Sequence, residues 1–62
     1  MNKKEIKNLA KQIAKAELTI QNSTDQKERT YAMDIIIALS SKLSSLEEME
    51  RVDEMVQKIL EK

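Results

Sequence analysis

The feature that most restricts this chain is an absence: its 62 residues include neither glycine nor proline. Tight β-hairpin turns rely on residues at positive φ, and successive strands need such punctuation between them. Without glycine there is also no phosphate-cradling loop and no dinucleotide-binding fingerprint. What remains is dominated by Ala, Leu, Ile, Met, Glu, Gln and Lys, most of them strong helix formers. The chain is therefore expected to be all-α.

Its length allows one domain and one modest core, near the lower limit for independent folding. Chains of this size usually need disulfides, a metal or self-association. With no Cys and no His, disulfides and the usual zinc ligand sets are excluded, and no Asp/Asn-rich loop with a turn glycine offers a calcium site. Helix packing or oligomerisation is left, which makes a homo-oligomer an early expectation, with no cofactor. The charged first residues do not read as a signal peptide, and no apolar run approaches membrane-spanning length. A cysteine-free chain fits a reducing cytoplasm, and the lysine- and isoleucine-rich composition suits a low-GC bacterium or one of its phages.

Hydrophobic spacing predicts three helices, at about 3–21, 25–43 and 46–61. In the first, Ile6, Leu9, Ile13, Ala16 and Ile20 recur at 3–4–3–4 spacing, one seam of a heptad. Lys3, Lys7, Lys11 and Lys15 fall on the opposite face. The pattern breaks at "QNSTDQKE", where Asn22 is suited to a left-handed helix ending and a turn is expected at 22–24. Ser23 with Gln26, or Asp25 with Glu28, has the spacing of a capping box opening the next helix.

The second helix contains the run "TYAMDIIIALSSKL". Three β-branched isoleucines in a row could form a strand. Flanking Ala, Met and Leu favour a helix instead, as does the fit to two helical seams. One seam is Ala32, Ile36, Leu39 and Leu43, and the other is Tyr31, Ile35 and Ala38. A helix with two seams touches two neighbours, so the second helix is expected in the middle of the bundle. Asp34 shares a narrow polar stripe with Thr30 and Ser41. Ile37 falls beside that stripe, outside both seams.

The third helix is announced by Ser44 with Glu47, or Ser45 with Glu48, again at capping-box spacing, and by acidic residues in its first turn. Met49, Val52, Val56 and Ile59 form its seam. Short connections imply antiparallel neighbours. The expected fold is a small antiparallel three-helix bundle in one domain, its main rival a helical hairpin that dimerises into a larger bundle.

Formal charge sums to zero but is unevenly distributed. The first helix carries Lys3, Lys4, Lys7, Lys11 and Lys15 against Glu5 and Glu17. The last segment carries Glu47, Glu48, Glu50, Asp53, Glu54 and Glu61 against Arg51, Lys58 and Lys62. Complementary fields of this kind can select which helices lie side by side, although each exposed ion pair adds only about 0–1 kcal/mol.

Catalytic equipment is sparse. Without His or Cys the commonest nucleophile–base pairs are unavailable. The Glu47–Glu50 and Glu50–Glu54 pairs lie on a solvated face, where no burial tunes a carboxylate. The chain is expected to be a non-enzyme with no evident small-molecule substrate. A phosphate-binding face would be the lysine row Lys3, Lys7, Lys11 and Lys15, but it lacks arginine and interleaved aromatics, so a nucleic-acid module is the lesser alternative. Membrane-surface binding is disfavoured because the apolar face opposite the lysines is needed for the core.

The leading expectation is a protein-interaction domain that self-associates or binds a partner as adaptor, inhibitor or regulator. Its candidate contacts are the apolar residues that the seams do not absorb or that suit an adaptable interface: Leu18, Tyr31, Met33 and Ile37.

Overall fold

A computed structural model describes residues 2–61 as three helices: α1 (Lys3–Asn22), α2 (Gln26–Ser40) and α3 (Leu46–Leu60). Together they form a small all-α three-helix bundle. Clefts between α1 and α2 fix their relative direction. The C-terminal half of α1 faces the start of α2 across Thr19 and Glu28, and the N-terminal half faces its end across Glu5 and Lys42. The two helices are antiparallel.

Each helix begins on a side-chain cap, which satisfies amide donors that have no intrahelical acceptor. Asn2 Oδ1 accepts the Glu5 N–H at 2.9 Å ahead of α1. Asp25 Oδ1 accepts the Lys27 N–H at 2.9 Å ahead of α2. Ahead of α3, Ser45 Oγ accepts the Glu48 N–H at 3.2 Å. Of the two expected boxes for α3, Ser45 with Glu48 is the one that forms. Its return half is displaced by one residue: Glu48 Oε1 accepts the backbone N–H of Ser44 at 3.1 Å and the Ser44 hydroxyl at 2.9 Å. At α2 the acid at the matching position, Glu28, accepts from the Ser23 hydroxyl at 2.7 Å.

Two expectations at the helix ends are corrected. Asn22 is the last helical residue of α1 and not a left-handed terminator, and no described residue has positive φ. The chain leaves α1 through Ser23 in an extended conformation (φ −88°, ψ 137°), with the Ser23 N–H still bonded to the Thr19 carbonyl at 2.9 Å. The turn therefore needs no glycine, which accounts for how a glycine-free chain closes it. α2 ends at Ser40, short of the expected Leu43. Ser41 turns its hydroxyl back on the Ala38 carbonyl at 2.7 Å, a local bond that competes with helix continuation. Lys42 and Leu43 then bond one residue tighter, to Leu39 and Ser40. This turn still delivers Leu43 into the core.

The larger correction concerns the middle of the bundle. It is α1, not α2, that packs against both other helices, while α2 and α3 barely touch. The buried core draws Ile6, Leu9, Ala10, Ile13 and Ala14 from α1, Leu39 and Leu43 from α2 and its exit, and Val52 and Val56 from α3. Ala10 and Ala14 are wholly or almost wholly buried on the flank of α1 turned from the α2 clefts, so α3 covers them. Alanine has little surface to bury, but it lets a neighbouring helix approach closely, and interaxial distance follows side-chain size. That gives α1 a stripe roughly 160° wide, counted at 100° per residue from Ala16 to Ala14. In α2 the first seam behaves as expected, with Ala32 and Leu39 buried and Ile36 half-buried. The second does not form: Tyr31 and Ala38 are exposed, and Ile35 is only half-buried.

Candidate interaction surface

Asp34, Thr30 and Ser41 are all exposed, forming the polar stripe expected for α2. Ile37 beside them is 66% exposed. Burying an isoleucine side chain removes about 1.5–3 kcal/mol of unfavourable hydration, so one left mostly in water is conspicuous on a chain with so small a core.

Leu18, Tyr31 and Met33, the other apolar candidates, are also exposed. They do not form one surface with Ile37. Leu18 lies on the back of α1 among the lysines. Tyr31, 69% exposed, stands on the flank of α2 that adjoins α1. There it lines an open cleft of about 410 Å³ with Ala16, Ala32 and Ile35, and Lys15 and Glu28 also border it. Met33 and Ile37 are one helical turn apart on the opposite flank of α2, in line with half-buried Ile36 and Ser40.

Two further apolar residues are exposed, one of them a methionine whose flexible side chain also suits an adaptable interface. Leu46 is 77% exposed at the first turn of α3. Met49, expected in the core seam, is 40% exposed. Their signal was present in the period of the helix: only Val52 and Val56 of α3 are buried, and Leu46 and Met49 precede them on the flank running toward Leu60.

Helix order places these residues on one side of the molecule. α2 lies on the Leu9 and Ala16 flank of α1, and α3 on the Ala10 and Ala14 flank. The connection of five residues, 41–45, starts α3 beside the end of α2, so α3, packed along α1, runs back antiparallel to α2. The Met33–Ile37 flank and the Leu46–Met49 flank then both turn away from α1. They border the notch between two helices that hardly meet. Met33, Ile37, Leu46 and Met49 are the exposed large apolar residues along that notch.

The electrostatics are those of two separate fields. Lys3, Lys7, Lys11 and Lys15 are all exposed, and none forms an ion pair with another described residue. On α3, Arg51 pairs with Glu47 at 2.8 Å, one turn away on the same exposed surface. Among the described residues no salt bridge joins the lysine row of α1 to α3. One carboxylate is perturbed. The backbone N–H of Ser44 is the largest of the causes that hold Glu48 well below the usual carboxylate range, at about 2, and the Ser44 hydroxyl and the positive N-terminal amine act in the same direction.

Among the described residues, no cluster of His, Cys, Asp or Glu could hold a metal ion, no side-chain polar atom is buried without a hydrogen bond, and no helix is long and apolar enough to cross a membrane. Comparison with protein-family models, curated proteins and solved structures finds no match.

Proposed function

We propose that this chain is a non-catalytic helical interaction module that binds protein through the outward side of α2. It would serve as an adaptor, inhibitor or regulator, or as a self-associating unit. The observation that carries this reading is the solvent-exposed apolar pair Met33 and Ile37 on a helix with a single packing neighbour. A helix apolar on more sides than its fold covers is the form in which helix-recognising proteins present their contacts. Methionine at the rim suits such a surface because its flexible thioether repacks against different shapes.

The test is a comparison of immobilised wild-type chain with the Ile37→Glu and Met33→Glu variants. Circular dichroism should show all three equally helical, since both positions face solvent. A defined partner, or the chain itself, should be retained by the wild type and lost by both variants. Retention that is indifferent to both substitutions overturns the assignment to α2.

A second reading rests on the lysine row, four exposed cations clustered along one face of α1 that form no ion pair with another described residue, and phosphate binding needs clustered positive charge. Retention on a generic DNA or RNA resin at low salt, lost on replacing Lys7 and Lys11 with glutamate, would support it. No retention at low salt would end it.

A further inference from the structure

We infer that the α2–α3 connection is a hinge. In a second state α2 and α3 run on as one helix, and two copies exchange α3, each docking it on the other's α1. The contact exchanged is the α1–α3 packing of the bundle itself, so this goes beyond the outward side of α2.

The backbone of the connection is the first reason. Ser41 is still right-handed helical (φ −66°, ψ −15°), and the N–H groups of Lys42 and Leu43 bond back into α2. Ser45 departs from the helix, in an extended conformation (φ −139°, ψ 157°). The apolar period does not stop there. Ala32, Ile36, Leu39, Leu43 and Leu46 recur at 4–3–4–3 spacing through the bend, and no glycine or proline interrupts them. The bend is held by the Ser45 cap and by the bonds from Ser44 to Glu48. Because α2 and α3 barely touch, straightening gives up only those bonds and the α1–α3 contact, which the exchange remakes.

Helical phase names the occupant. On one continuous helix the α2 seam and the buried pair Val52 and Val56 point about 150° apart, counted at 100° per residue. With the α2 seam kept on its own α1, the straightened chain carries Val52 and Val56 past the start of that helix and away from it. The surface that fits them is the Ala10 and Ala14 flank of α1, and in this state only a second copy presents it. A two-fold axis through the joint serves both copies at once. It preserves the directions of the closed bundle, each α1 antiparallel to the α2 and parallel to the α3 that it carries. Leu46 and Met49, exposed in the closed bundle, lie between the two stripes at the joint, on the side turned to the second long helix.

A distance within one chain tests this. The closed bundle is 34 Å in its longest dimension. A continuous helix sets positions 27 and 58 about 47 Å apart. The chain has no cysteine, so spin labels go cleanly on a Lys27→Cys, Lys58→Cys chain diluted into unlabelled protein. Sedimentation over a concentration series should show a dimer, and the 47 Å population should grow with it. Leu46→Pro should lock the hinge: proline suits the first position of α3 and keeps Ser45 extended, but breaks an uninterrupted helix. It should weaken the dimer by at least about a thousandfold while leaving the monomer helical. Ser45→Ala, which removes the cap and favours helix continuation, should strengthen the dimer by about tenfold. A monomer at every concentration up to about 1 mM, in wild type and Ser45→Ala alike, overturns the exchange. So does a dimer indifferent to Leu46→Pro. A dimer that keeps the short distance and is lost on Ile37→Glu overturns the exchange while the interaction reading stands.

Discussion

At the scale of single residues, the start of α3 shows how a short chain fixes a helix boundary without special backbone geometry. Ser45 meets the Glu48 amide, and Glu48 reaches back to both donors of Ser44. Removing the cap hydroxyl, Ser45→Ala, should lower stability by about 0.5–2 kcal/mol in chemical denaturation. The depressed acidity of Glu48 carries a pH signature of definite sign. Its folded-state value, about 2, lies below the ordinary carboxylate value of 4.5. The contribution is therefore complete above pH 4.5 and is lost as pH falls toward 2. Thermal midpoints measured across that window should fall more steeply for the wild type than for Glu48→Gln, which has no charge to lose. Identical profiles would show that the bonds from Ser44 do not favour the ionised form. The capping spacing at this site was legible in the sequence. Which of two overlapping boxes would form was not, because both place a serine three residues before a glutamate.

Among the elements, α1 and α2 exchange the roles that their hydrophobicity assigns them. The isoleucine run of α2 gives a strong apolar signal, yet Tyr31 and Ala38 of its second seam stay exposed and Ile35 is only half-buried. The decisive surface of α1 is made of Ala10 and Ala14, whose signal in a hydropathy pattern is weak. Sequence periodicity reports where apolar side chains lie on a helix; it does not report how closely a neighbour can approach, and close approach is what the alanines supply. The three helices, the polar stripe of α2 and the outlying position of Ile37 could all be read from spacing. The packing order could not. Enlarging the alanine flank should test the assignment: Ala10→Leu is expected to cost about 1–3 kcal/mol by overpacking the α1–α3 contact. Ile13→Ala, which opens a void in the same core, should cost about 2–5 kcal/mol. An Ala10→Leu chain as stable as the wild type would mean that α3 does not press on that flank.

For the whole molecule, the hub arrangement has a consequence for how the fold comes apart. α2 and α3 share a neighbour but scarcely any contact, so neither braces the other. Each can lift from α1 as a separate local opening, at a free energy below that of global unfolding. Amide hydrogen exchange should show this as three tiers, with the core of α1 exchanging slowest and α2 and α3 opening by independent events. Destabilising α3 through Val56→Ala should then accelerate exchange in α3 while leaving the ratio of α2 to α1 unchanged. α1 then acts as a spine from which two wings lift one at a time.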